Sequence, residues 1–259
     1  MPVSEDPQGA PSAVESAGPA APRLPLAAPR PPTRGELRLY RACRALSVGL
    51  CRLYLPGRVV GAEHLPATGA YVLAPVHRSY VDWLIVARVT KRRLRYIVKA
   101  EVWKSKLVGR LLEALGAFPV NRSGADREAL ERCRAVLAGG EPLVMFPEGT
   151  RRSGPVVEDL REGVAYLALR AGVPVVPVGI GGSEQAMPRG SKFPKPRRIA
   201  VVVGPPILPA SSLSAGGDGG TPAGESRRVS RRAMHEFSEQ VRAGVQEAFD
   251  DARRRAGVT

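Results

Sequence analysis

The chain has 259 residues, which allows one sizeable domain with tails, and a hydrophobic fraction of 44% supports a buried core. The formal net charge of +15 predicts attraction to an anionic partner, whether nucleic acid, anionic lipid or a phosphorylated substrate. The three cysteines form no C-x-x-C pair and no histidine lies near them at metal-ligand spacing, which argues against a disulfide framework and a structural zinc site.

The N-terminal part of the chain combines a polar tail with one amphipathic helix. Residues 1–34 are rich in Pro, Ala, Ser and Gly, which predicts a disordered tail, and residues 35–57 predict a helix with an apolar stripe. The stripe consists of Leu39, Cys43, Leu46, Leu50 and Leu53, and the opposite side carries Arg38, Arg41, Arg44 and Arg52. This pattern is typical of a helix lying in a lipid headgroup layer, and equally of a helix docked on the domain's own core. The sequence shows no apolar run long enough to span a membrane, and we expect no signal peptide.

Residues 58–210 alternate short apolar runs with helical patterns, which predicts an α/β sheet with helices packed on it. We expect strands at 71–75, 94–98, 142–146, 174–180 and 199–203, and helices at 80–91, 101–115, 124–138 and 159–171. The prolines in 174–180 favour an edge strand. Residues 211–228 predict a flexible linker and residues 229–259 a C-terminal helix.

The first candidate for chemistry is the run H-R-S-Y-V-D at 77–82, directly after a predicted strand. A histidine takes up a proton near pH 7, and a carboxylate beside it fixes its tautomer and supports the imidazolium. Five steps of about 100° place two side chains of one helix about 140° apart. His77 and Asp82 therefore meet only if His77 lies on the loop and Asp82 in the first helical turn.

Two further runs place cations after strands. F-P-E-G-T-R-R-S at 146–153 follows a predicted strand, so it is expected at the same sheet edge as His77. Gly149 lets the backbone approach a ligand closely, and Thr150 and Arg151 can donate to phosphate oxygens. The run G-A-F-P-V-N-R at 116–122 likewise ends in Arg122. Taken alone, the run at 146–153 also fits an ordinary polar turn, and the run at 116–122 an exposed arginine at a strand end.

These runs, together with V-P-V-V-P-V-G-I at 173–180, resemble the signature blocks of the lysophosphatidate acyltransferase family of glycerolipid acyltransferases, in the same order and at similar spacing. The resemblance covers residues 59–209. It implies the glycerolipid-acyltransferase fold, a mixed and mostly parallel sheet flanked by helices, here preceded by the amphipathic helix.

The resemblance also implies residue roles. His77 and Asp82 match the family's catalytic pair, in which the histidine deprotonates the acceptor hydroxyl. The positions that match the family's hold on the glycerol phosphate are Arg122, Glu148, Gly149, Thr150 and Arg151. The implied reaction transfers a fatty acyl group from acyl-CoA or acyl carrier protein to lysophosphatidate, with no acyl-enzyme, no cofactor and no metal.

The sequence departs from the family pattern at three positions. Val76 stands where Asn often precedes the histidine, Asn121 where Asp often precedes the arginine, and Arg152 where Ser often follows the first arginine. These changes preserve the reaction class and leave the acceptor open, so another lysolipid or glycerol 3-phosphate remains an alternative.

The surplus of basic residues predicts partners and location. Basic stretches at 91–110 and 192–198 suit an anionic membrane surface or the phosphates of coenzyme A, and we expect a peripheral protein on the cytoplasmic face of a membrane. Two rival classes are a nucleic-acid-binding protein and a lipid-binding scaffold without activity. The aromatic content of 5% argues against the first, and no nucleic acid is expected as a partner. The intact His77 and Asp82 pair argues against the second.

Overall fold

The computed structural model describes residues 32–120, 126–209 and 229–258. Within these residues seven strands form one sheet. Their bounds are β1 Gly57–Val60, β2 Val72–Pro75, β3 Arg95–Lys99, β4 Ala117–Val120, β5 Leu143–Val144, β6 Val175–Gly181 and β7 Ile199–Val203. The order across the sheet is β1-β7-β6-β2-β5-β3-β4. The predicted tail up to residue 31 and the predicted linker lie outside the described residues.

The sheet is mixed and mostly parallel, which confirms the predicted fold class. The strands β6, β2, β5, β3 and β4 run in one direction, and β7 pairs antiparallel with β6. The strand β1 pairs parallel with β7 and so shares its reversed direction. The loops that follow β2, β5 and β6 therefore leave the sheet at one edge, called here the site edge.

The prediction that the proline-containing strand lies at the sheet border was wrong, because β6 lies between β7 and β2 and is buried along its whole length. Pairing with β7 starts only at Val178, so Pro177 occupies a position where its missing N–H is not needed. The Pro177 carbonyl instead accepts the Gly204 N–H at 2.9 Å.

Helices cover both faces of the sheet. Their bounds are α1 Arg34–Tyr54, α2 Asp82–Val86, α3 Lys106–Ala114, α4 Asp126–Ala138, α5 Gly163–Ala171, α6 Ser183–Ala186 and α7 Arg231–Ala256. The helix predicted over 80–91 is shorter than expected. It gives way to tighter turns in which Arg88 N donates to Ile85 O and Val89 N to Val86 O, a change that the β-branched valines favour.

Helix α1 begins at a capping box formed by Thr33 and Glu36. Its buried residues are Tyr40, Val48 and Cys51, which face the domain, whereas the predicted leucine stripe points outward. Leu46 is 65% exposed and Leu53 is 84% exposed. Arg44, predicted on the polar side, instead reaches the domain and donates from Nε to the Thr90 carbonyl at 2.8 Å.

Helix α7 packs directly on β6. A Cβ added to Gly179 would lie 2.0 Å from the Ala248 carbonyl oxygen, and one added to Gly181 would lie 2.1 Å from that of Ala252. The two glycines thus allow the helix backbone to touch the strand. Ala248 lies against Gly179 and Ala252 against Gly181, so α7 runs in the same direction as β6, towards the site edge.

Candidate active site

The site edge brings His77 and Asp82 together. His77 lies on the loop after β2 and Asp82 is the first residue of α2, as their spacing requires. Asp82 Oδ2 accepts from His77 Nδ1 at 3.0 Å, and it also accepts the backbone N–H groups of Arg78 and Ser79, both at 2.7 Å. Asp82 is fully buried, whereas the His77 side chain keeps 20% of its surface exposed. The carboxylate therefore orders the loop and orients the ring.

The loop after β5 packs beside the His77 loop because β2 and β5 are neighbours in the sheet. The Phe146 ring stacks on the His77 ring, with centroids 4.1 Å apart. Arg152 N donates to the His77 carbonyl at 2.9 Å, and His77 N donates to Glu148 Oε2 at 2.9 Å. Backbone and side-chain contacts thus lock the two loops to each other.

A buried ion pair lies beneath these loops. The Arg78 guanidinium binds both oxygens of Glu148, and the two side chains are 1% and 0% exposed. Arg78 also donates from Nε to the Gly154 carbonyl at 3.1 Å and from Nη2 to the Val156 carbonyl at 2.9 Å, and it packs against the Phe249 ring of α7. A single arginine therefore connects both loops to the C-terminal helix.

Towards solvent, Arg151 borders the histidine loop and Arg161 borders the loop after β5. The Arg151 guanidinium lies over the half-exposed Tyr80 ring, 3.2 Å from its centroid. Gly149 has a φ of +68°, and a Cβ there would lie 2.2 Å from the Nε of Arg161. Only glycine allows this approach of the Arg161 side chain. Thr150 is exposed in the same loop.

The structure brings most, but not all, of the predicted site residues together. His77, Asp82, Gly149, Thr150 and Arg151 share one region of the site edge. Glu148 lies there too, but its carboxylate is turned inward and is occupied by Arg78 and the His77 amide. Arg122 lies outside the described residues. The strand that precedes it, β4, ends at Val120 on the same side of the sheet.

Sequence reasoning missed two side chains that the structure places here. Arg78 stood within the histidine run but carried no spacing signal, since its burial depends on the neighbouring β5 loop. Arg161 lies 12 positions beyond Gly149 in the chain and meets it only through the fold. The Ser79 hydroxyl, by contrast, already has a hydrogen-bond acceptor, the Met187 carbonyl at 2.9 Å.

The described residues contain no group of three or more His, Cys, Asp and Glu side chains that could hold a metal ion. In the same three segments of the chain, no helix combines the length and apolar character needed to cross a bilayer.

Comparison with known proteins places this geometry in a family. The family model described as Acyltransferase matches residues 57–181, the segment that holds both loops of the site. Residues 57–181 are therefore similar to members of the acyltransferase family. The resemblance read from the motifs is thereby confirmed.

Relatives of the chain include a bacterial and an algal protein. The chain is 28% identical over 170 residues to the 1-acyl-sn-glycerol-3-phosphate acyltransferase of Bacillus subtilis, an alignment that covers 65% of this chain and 82% of the relative. It is 30% identical over 151 residues to the 1-acyl-sn-glycerol-3-phosphate acyltransferase of Chlamydomonas reinhardtii, with 56% of this chain covered. The chain spans only 45% of that algal relative's length.

A solved structure supports the fold. The crystal structure of the 1-acyl-sn-glycerophosphate (LPA) acyltransferase PlsC from Thermotoga maritima superposes with a TM-score of 0.59 at 22% identity. The match covers 83% of this chain and 78% of the other chain. The mixed sheet described above is therefore the architecture of a known acyltransferase structure.

Proposed function

We propose that this acyltransferase moves a fatty acyl group from a thioester to the free hydroxyl of lysophosphatidate, forming phosphatidate in phospholipid synthesis. The observation that carries the proposal is the 3.0 Å contact between His77 Nδ1 and Asp82 Oδ2. A proton held on Nδ1 by the carboxylate leaves the Nε2 lone pair available, and no described residue bonds Nε2.

Direct transfer accounts for each atom. Nε2 of His77 takes the proton of the acceptor hydroxyl while the hydroxyl oxygen forms a bond to the thioester carbonyl carbon. The carbon–sulfur bond then breaks, and the departing thiolate receives the proton from the imidazolium as a free thiol. Asp82 supports the imidazolium in between, and the backbone N–H groups of Arg78 and Ser79 hold its carboxylate in place.

We propose that polar groups on the solvent side of the loop after β5 bind the acceptor. Arg151, Thr150 and the backbone at Gly149 face outward beside His77, where a phosphate bound to them would carry its hydroxyl towards the ring. Arg122 is proposed as a further phosphate ligand. For Glu148 we infer a positioning role, because its carboxylate is buried and holds the His77 amide in place.

The proposed setting is the cytoplasmic face of an anionic membrane. Helix α1 turns Leu46, Leu50 and Leu53 outward while arginines flank them, and the chain as a whole carries +15 charges. A helix of this kind buries its leucines in the headgroup layer and keeps its cations near lipid phosphates. On the same grounds we propose that the chain consists of five segments. They are a tail at 1–34, a membrane-surface helix at 35–57, an acyltransferase domain at 58–210, a linker at 211–228 and a C-terminal helix at 229–259.

The test is release of free thiol from an acyl thioester in the presence of lysophosphatidate. Wild-type protein should release thiol with that acceptor, and His77→Ala should lower turnover by about a hundred- to ten-thousand-fold, the range for loss of a general base. The variant His64→Ala is the matched control, because its ring bonds the Val203 carbonyl at 2.9 Å outside the proposed site.

The same assay identifies both substrates. Acyl-CoA and acyl carrier protein serve as alternative donors, and lysophosphatidate, other lysolipids and glycerol 3-phosphate as alternative acceptors. Equal turnover of His77→Ala and wild type would refute the mechanism. Thiol release that is fastest with a lysolipid lacking a phosphate monoester would refute the proposed acceptor.

A further inference from the structure

A cationic loop at 187–198 connects α6 with β7 and lies at the site edge. It follows the carboxyl end of β6 and leads into β7, which starts at that same edge because it runs antiparallel to β6. The Ser79 hydroxyl donates to the Met187 carbonyl, so the loop starts in direct contact with the segment between His77 and Asp82. We call it the basic loop.

The basic loop carries a charge that its surroundings do not compensate. Its sequence has five cations and no acidic residue. The cations are Arg189, Lys192, Lys195, Arg197 and Arg198, and all are exposed. Within the part of the chain that the structure describes, none of them forms an ion pair with a carboxylate. An anionic partner can therefore bind them without displacing an internal contact.

An aromatic side chain stands among these cations. Phe193 is 80% exposed, although the loop around it is fixed by hydrogen bonds from Lys195 N to the Ala186 carbonyl and from Ser191 N to the Pro188 carbonyl. Burying a phenyl ring in an apolar layer is favourable by roughly 1.5–3 kcal/mol relative to water. A fixed loop with an outward phenyl ring and flanking cations suits the boundary between lipid headgroups and acyl chains.

The basic loop adjoins the outward face of α1. The Tyr54 hydroxyl at the end of α1 donates to the Pro194 carbonyl at 3.0 Å, which places Phe193 beside the end of the leucine stripe. Leu53, the stripe's last residue, is 84% exposed. Helix and loop thus present one surface of exposed apolar side chains bordered by arginines and lysines.

We propose that the basic loop is a second lipid-binding element, which inserts Phe193 into an anionic bilayer and holds that bilayer against the opening of the site. The proposal rests on the membrane docking included in the proposed function and assigns part of it to residues outside α1. Charge complementarity favours an anionic surface, and the exposed phenyl ring favours lipid over an acidic protein or a nucleic acid. The bilayer would then deliver the acceptor's headgroup beside His77.

The experiment is sedimentation of the full-length protein with vesicles of phosphatidylcholine, either alone or mixed with phosphatidylglycerol. One cation near an anionic surface raises the affinity about fivefold. The double variant Lys192→Gln/Lys195→Gln should therefore bind mixed vesicles with about 25-fold lower affinity than wild type. Phe193→Ser should weaken binding to the same vesicles about tenfold or more.

A charge-matched control distinguishes the effect of this loop on vesicle binding from the effect of net charge. Arg231→Gln/Arg232→Gln removes the same two charges at the start of α7, which lies away from the site edge because the helix runs towards that edge with β6. The control should bind mixed vesicles within about twofold of wild type. Equal losses in both double variants, or no loss in the loop variants, would overturn the proposal.

A second assay separates this inference from the proposed function. With a short-chain lysophosphatidate that stays dissolved in water, the loop variants should release thiol at the wild-type rate. A rise in the KM for either soluble substrate would assign the loop to substrate binding and overturn the membrane assignment. If wild type releases no thiol at all, the proposed reaction fails, while the vesicle experiment still decides the role of the loop.

Discussion

The buried pair of Arg78 and Glu148 permits a quantitative test of how the site is held together. In Arg78→Met a side chain of similar length replaces the guanidinium and leaves the Glu148 carboxylate buried without its cation. Removing one partner of a buried ion pair costs about 3–5 kcal/mol of unfolding free energy. The Gly154 and Val156 carbonyls lose their donors as well, so the upper half of that range applies here.

The assay is equilibrium unfolding in urea, followed by intrinsic fluorescence, for wild type, Arg78→Met, Glu148→Gln and the double variant. Because each single variant strands the other partner, the double variant should cost less than the sum of the singles by about 0.5–3 kcal/mol. Arg78→Lys keeps the charge but lacks the planar fork that reaches both Glu148 and the two carbonyls, so it should rescue little.

The pair also supports the proposed base. Glu148 Oε2 holds the His77 amide at 2.9 Å, so Arg78→Met should lower kcat more than it raises the KM of either substrate. Additive costs, or a cost below about 1 kcal/mol for Arg78→Met, would show that the pair behaves as an exposed one and refute the reasoning.

Four further predictions concern backbone packing, acceptor binding and a buried thiol. Gly179→Ala should destabilise the protein by about 1–3 kcal/mol or more in urea unfolding, because its Cβ would meet the Ala248 carbonyl at 2.0 Å. Gly49→Ala, in an open and exposed part of α1, should instead stabilise it by about 1 kcal/mol. Arg151→Ala should raise the KM of lysophosphatidate about ten- to hundredfold in the thiol-release assay and leave the KM of the donor unchanged, and an effect on the donor alone would contradict its role. Burial raises the pKa of the Cys133 thiol to about 12, so at pH 8 a thiol reagent should leave it unmodified in the native protein and modify it after denaturation, when its pKa returns to about 9.

The strands that could be predicted from sequence are those whose apolar run is continuous and bounded by turn residues. The runs at 71–75 and 199–203 became β2 and β7 with almost unchanged bounds. Strand β1 was not predicted, because Gly57–Val60 is short, includes an arginine and gains its partner β7 from about 140 residues further along the chain. Local patterns contain no information on such distant pairing.

The contacts of the candidate site also differ in whether they could be predicted from local sequence. The contact between His77 and Asp82 follows from local geometry, since both residues lie within one loop and one helical turn. The partners of Glu148 depend on β2 and β5 being neighbours, which the sequence does not specify. A glutamate in a run of ligand-binding residues was therefore predicted to face the acceptor, whereas the structure turns it towards Arg78.

Helix α1 docks on the domain and still leaves its leucine stripe exposed. Tyr40 and Cys51 lie about 100–120° around the helix from Leu39, and these two residues pack on the domain while the leucine stripe stays in contact with solvent. A helix stabilised only by docking would gain nothing from leucines on its outer side, because their exposure leaves about 1.5–3 kcal/mol of burial unused for each. Tyr54 then joins the end of that stripe to the basic loop, and Ser79 joins the start of that loop to the histidine segment. These contacts bring the exposed end of the leucine stripe, the basic loop and the histidine segment to one edge of the sheet, and this is why we propose that the membrane docks at the edge where the chemistry takes place.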